Sequence, residues 1–133
     1  MIPLKVRYLS ATKVLYIHDQ AVKQFGGSFG VRDLGLIESA VARPESSFDG
    51  NDLYTSIFDK AAALLQSLLK NHPFVDGNKR TALISAGLFL RINGSILINT
   101  HKEEVSFGVS VDNQNLSLEE ISKWLKTHSK EIK

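Results

Sequence analysis

Nine consecutive residues, His72-Pro73-Phe74-Val75-Asp76-Gly77-Asn78-Lys79-Arg80, bring together a proton acceptor, a hard oxygen donor, a glycine and two cations. An imidazole titrates near neutral pH, so His72 suits general-base work. The Asp76 carboxylate suits Mg²⁺, which is commonly held by one or two carboxylates together with phosphate oxygens. Gly77 lets an anion come close to the backbone, and the amides of a helix starting near Asn78 would cradle its oxygens. Lys79 and Arg80 then fall in a first helical turn, where the dipole disfavours a cation by about 0.3–1 kcal/mol. A sequence shaped only for folding favours Asp or Glu there, and an incoming polyphosphate removes the conflict. Together these residues make a phosphate-transfer site plausible. Taken singly, each has an ordinary alternative. His72 can be a surface or capping group, Asp76 an N-cap, and Lys79 and Arg80 partners of distant carboxylates, with Phe74 and Val75 as core anchors under either reading.

The flanking segments must hold this loop. Upstream, Ser56 to Asn71 reads as a strong helix carrying Ile57, Ala61, Leu64, Leu65 and Leu68, and Pro73 forces its end near His72. Downstream, a second helix runs from Asn78 to about Asn93, with Gly94 as its stop and Ala82, Ala86 and Gly87 small enough for close approach of another helix. Earlier in the chain, Ser10 caps a helix through Phe25 that Gly26-Gly27 ends, and a shorter helix covers Asp33 to Ala42 until Pro44. Residues Arg43 to Tyr54 form a polar loop or hairpin, Ile2 to Tyr8 a short extended arm, and Ile96 to Ile98 a short extended piece. Thr100-x-x-Glu103 and Ser117-x-x-Glu120 match the reciprocal capping box, so each starts a helix, the last reaching about Ile132 with Ile121, Trp124 and Leu125 on one face. The expected fold is all-α, a bundle of about six helices in a single domain, 1–133.

Composition removes several function classes. The chain has 133 residues, 43% of them hydrophobic, which is enough for a core and argues against disorder. It has no cysteine, which excludes disulfides, thiolate metal sites and thiol catalysis. The four histidines lack ligand-like spacing; His18 reads as a surface or packing residue and Trp124 as a core anchor. No apolar run is long enough for a membrane span, and the start lacks the apolar core of a signal peptide. A net charge of +2 with no basic helix stripe gives no reason to expect direct nucleic-acid binding.

His72 through Arg80 resembles the signature of the Fic superfamily, His-Pro-Phe-x-Asp/Glu-Gly-Asn-Gly/Lys-Arg, with every defined position filled. Lysine in the penultimate position, followed by Thr81-Ala82-Leu83, is most similar to the death-on-curing (Doc) branch. The likeness extends over His18-Asp19, Phe25-Gly26-Gly27, Gly30-x-Arg32-Asp33, Leu36 to Ala40 and Arg43-Pro44, and over Phe89-Leu90-Arg91-x-Asn93-Gly94. It covers most of the chain and fades over the last thirty or so residues. Gly77 follows the wider Fic pattern, where Doc toxins can have alanine.

The resemblance implies a compact all-α fold and a cytoplasmic toxin of a bacterial toxin–antitoxin pair. It implies ATP as substrate with Mg²⁺, His72 as general base toward a protein hydroxyl, and Asp76 as metal ligand. Gly77 and Asn78 would then belong to the anion loop, while Lys79 and Arg80 would bind nucleotide phosphates. Most Fic enzymes transfer AMP, whereas the Doc branch phosphorylates elongation factor Tu; lysine at position 79 favours attack at the γ-phosphate. Residues Arg43 to Tyr54 would correspond to the target-docking flap. The family's inhibitory pattern, Ser/Thr-x-x-x-Glu-Gly/Asn, does not occur: Val105 follows Thr100…Glu104 and Ile132 follows Thr127…Glu131. Control is therefore expected from a separately encoded antitoxin that folds onto this domain. The alternatives are an AMP transferase and a non-catalytic regulatory or DNA-associated module.

Overall fold

The computed structural model describes residues 5–132. Its helices are α1 (Ala11–Phe25), α2 (Leu34–Ala42), α3 (Ile57–Lys70), α4 (Asn78–Ile92), α5 (His101–Asn113) and α6 (Leu118–Thr127). A 3-10 turn, Arg43–Glu45, extends α2, and two small antiparallel ribbons complete the fold. One pairs β1 (Ser47–Phe48) with β2 (Asn51–Asp52); the other pairs β3 (Ser95–Leu97) with β4 (Ser129–Glu131). The all-α expectation is met, with the hairpin inside Arg43 to Tyr54 and the short strand after α4. The extended arm falls partly on residues 1–4, outside the described residues.

The core is built around α3. Ala61, Ala62, Ala63, Leu64, Leu65, Leu68 and Leu69 are all buried, so α3 is apolar on nearly every side, as a central helix must be. Onto it pack Ile37 and Ala40 of α2, Ala82, Ala86, Phe89 and Leu90 of α4, and Ile121 and Leu125 of α6, while Val14 of α1 joins the same core from against α4 and α2. Gly87 does not serve this packing: a side chain there would meet Leu97 of β3, at 3.5 Å.

Side-chain caps start five of these helices. Ser10, Asp33 and Ser56 accept from the amides of Lys13, Leu36 and Asp59. Thr100 and Ser117 form complete capping boxes with Glu103 and Glu120. Helix α4 is the exception: its N-cap is Gly77, in the left-handed conformation at φ 77°, with no side-chain cap.

Helix α6 ends at Thr127 rather than near Ile132. Two of its last carbonyls are taken by side chains at and just past its end: Thr127 Oγ1 donates to Trp124 O at 3.1 Å and Ser129 Oγ to Leu125 O at 2.6 Å. The backbone that follows is claimed by β3, with Ile98 N donating to His128 O and Ile132 N to Gly94 O. Periodicity alone misses such a stop, because it is set by a strand thirty residues away.

Candidate active site

The loop His72–Gly77 joins the end of α3 to the start of α4, so both its ends are fixed on the two most buried helices. Phe74 anchors it from beneath, 2% exposed and stacked on the His18 ring with centroids 3.8 Å apart. Val75, expected in the core, instead points outward at 60% exposure. The cause is backbone pairing: an isolated bridge joins Val31 to Phe74, and Val75 N donates to Gly30 O, so Phe74 faces inward and its neighbour outward.

His72 is exposed at the rim, with its backbone in the left-handed region at φ 48°. Asp76 does not cap α4. Its Oδ1 accepts from Gly77 N at 2.8 Å and its Oδ2 from Ser28 N at 3.1 Å, which orients an exposed carboxylate across the loop. Gly27 permits this approach, since a Cβ there would lie 2.8 Å from Asp76 Oδ2.

The Asn78 side chain clamps the loop, donating to Phe74 O and accepting from Phe74 N, both at 3.0 Å. Its contribution to an anion site is therefore through the main chain. The first intrahelical bond of α4 runs from Thr81 N to Gly77 O, so the preceding amides lack partners within the helix.

The two cations differ. Lys79 Nζ lies 3.1 Å from Asp112 Oδ2 on α5, so the ordinary reading of Lys79, a partner for a distant carboxylate, is met in this structure. That contact, with further help from His72 and Lys70, holds the Asp112 carboxyl below its ordinary range. Arg80 instead lies over the Phe25 ring, its guanidinium carbon 4.4 Å from the centroid. It makes no ion pair with a carboxylate among the described residues.

His72, Asp76, Gly77, Asn78, Lys79 and Arg80, all singled out by the sequence, line one open hollow of about 410 Å³. A second, more apolar groove of about 280 Å³ between α4 and α5 shares Lys79 and Arg80. A proton acceptor, an oriented carboxylate and two cations at an uncapped helix start can together hold a polyphosphate beside a hydroxyl nucleophile. Among the described residues no three His, Asp or Glu side chains converge as a metal cage. Asp76 nevertheless suits Mg²⁺, because each of its oxygens accepts only one N–H and retains a lone pair, and phosphate can supply the remaining ligands.

Sequence reasoning missed two contributors. His18, expected to be a surface or packing residue, is 4% exposed, and its Nε2 lies 2.7 Å from Asp76 O, so its packing role supports the loop directly. In the tautomer that carries its proton on Nε2, it donates to that carbonyl. Asp112 lies thirty-three residues beyond Lys79, at the negative end of α5, where an acid is as misplaced as Lys79 is at the start of α4. That shared misplacement was the available signal.

A model of the Fic/DOC family matches residues 8–90. Toxin Doc of Mycolicibacterium smegmatis is 60% identical over 70 residues, 53% of this chain and 54% of that protein. The chain thus aligns with about half the length of that relative. Protein kinase doc of Escherichia phage P1 is 36% identical over 89 residues, 67% of this chain and 70% of that protein.

Proposed function

The chain belongs to the Fic/DOC family, and from that premise we propose that it is a single-domain toxin transferring phosphate from ATP to a hydroxyl side chain of a protein, elongation factor Tu. The observation that carries this reading is the loop itself: His72, Asp76, Lys79 and Arg80 line one hollow at the only described α-helix start without a side-chain cap. The name of the phage relative, a protein kinase, supports phosphate as the transferred group.

In this reading His72 accepts the proton of the target hydroxyl as its oxygen attacks the γ-phosphorus. The bond from that phosphorus to the β–γ bridging oxygen breaks, and ADP leaves. The amides at the start of α4, with Lys79 and Arg80, stabilise the charge on the transferred and leaving groups. Asp76 would hold Mg²⁺, which would supply charge neutralisation for the bound polyphosphate. Lys79 must exchange Asp112 for phosphate, a trade of one anion for another. The partner that silences the toxin is a separately encoded antitoxin.

The second reading is AMP transfer, favoured by Gly77, which matches the wider Fic pattern. Purified protein with elongation factor Tu and Mg²⁺ should move label from γ-labelled ATP onto the factor. Label arriving only from α-labelled ATP assigns AMP transfer, and label from neither removes the enzyme reading for that target.

A further inference from the structure

We infer that Arg32 is the positioning residue of the candidate base: its guanidinium fixes the main chain at His72 and so sets where the imidazole stands. This deepens the phosphotransfer reading and rests on it.

The segment after α1 runs along the loop as a strap. Gly30 O accepts from Val75 N at 3.1 Å, and Arg32 N and Asp33 N both donate to Pro73 O, at 2.7 and 3.0 Å. The other holds come from side chains: Asn78 engages both polar groups of Phe74, and His18 meets Asp76 O. Asn71 N still donates to Ser67 O at 3.1 Å, and at His72 the only described main-chain hydrogen bond comes from Arg32. Its Nε donates to His72 O at 2.6 Å and its Nη2 to Asn71 O at 2.7 Å.

Three physical points make this contact more than a surface decoration. First, His72 has φ 48°, a backbone state that a residue with a side chain keeps only where its surroundings over-determine it. Second, both accepting carbonyls lie just past the end of α3, where the dipole is negative and a cation is favoured. Third, the two short bonds use the rigid fork of a guanidinium, which an ammonium cannot reproduce with one planar group. The contacts of Arg32 are to backbone, so substitution leaves the charge and chemistry of His72, Lys79 and Arg80 intact. What changes is the direction of the imidazole.

The test compares Arg32→Ala, Arg32→Lys and the unaltered chain in transfer onto the protein target. Misplacing a reacting group by about 1 Å can cost about a hundredfold in rate, so kcat in Arg32→Ala should fall by about that factor with KM for ATP unchanged. Added guanidinium ion should restore part of that rate, but none in His72→Asn. Arg32→Lys should fall between the two chains. A second arm needs no activity: the imidazole resonances of His72 should move in Arg32→Ala, while those of His128 stay in place. Unaltered His72 resonances, or a kcat equal to that of the unaltered chain, overturn the assignment. If the unaltered chain transfers nothing, the reaction reading fails, and the resonance arm still decides whether Arg32 positions His72.

Discussion

At the scale of single residues, the site separates what a side chain does from what its backbone must tolerate. In the proposed reaction His72 has to be a base while its backbone keeps a positive φ. Asparagine visits that backbone region more readily than other side chains and has no comparable proton acceptor. His72→Asn is therefore the cleaner deletion: transfer should fall by at least about 10²–10⁴-fold with an unchanged thermal midpoint. A large loss of thermal stability would instead make His72 a structural residue. The residues that line the hollow were legible as a group because their types and spacing fall within nine positions of sequence. His18, Arg32 and Asp112 were not legible as site residues, because each acts from another segment. A histidine in α1 reads as a packing residue until its Nε2 is found 2.7 Å from the Asp76 carbonyl. Nothing near Lys79 in sequence announces that its partner is Asp112.

At the scale of elements, helix starts were the best-read feature, since a cap is a local event. Thr100 and Ser117 each bond the amide three residues on, and Glu103 and Glu120 reach back to the cap amides. Those backbone bonds are the chief reason both glutamate carboxyls sit below their ordinary value of 4.5, with His128 also helping at Glu103. Because the folded values lie below the unfolded ones, the unfolded chain takes up protons first. The stability from these boxes is thus complete above the ordinary value and is lost as pH falls through the lowered ones. Between about pH 6 and about pH 3, the thermal midpoint should fall more steeply in the unaltered chain than in Glu103→Gln/Glu120→Gln. Equal slopes would mean that the boxes do not form in solution. Helix ends were read less well where tertiary pairing decides them. The spacing of Ile121, Trp124 and Leu125 gives no sign that Ser129–Glu131 will pair with Ser95–Leu97.

At the scale of the molecule, α3 is both the hub of the core and the support from which the site loop springs. Leu65 is fully buried there, so Leu65→Ala should cost about 2–5 kcal/mol of stability in denaturant titration. A cost below about 1 kcal/mol would mean that the surrounding helices close the gap. The architecture could be anticipated because most of the core lies on helices with regular apolar spacing. Within the loop, Phe74 was rightly expected in the core and Val75 was not, since one backbone bridge turns the two side chains in opposite directions.

The seam between α5 and α6 gives the molecule an optical property. Its one tryptophan, Trp124, lies between the rings of Phe107 and His128, each 3.9 Å away by centroid. Phe107 belongs to the same helix as Asp112, whose carboxylate grips Lys79 at the mouth of the hollow. Emission from that indole reports how α5 is seated, so an anion that draws Lys79 away from Asp112 can be followed by its own unlabelled light.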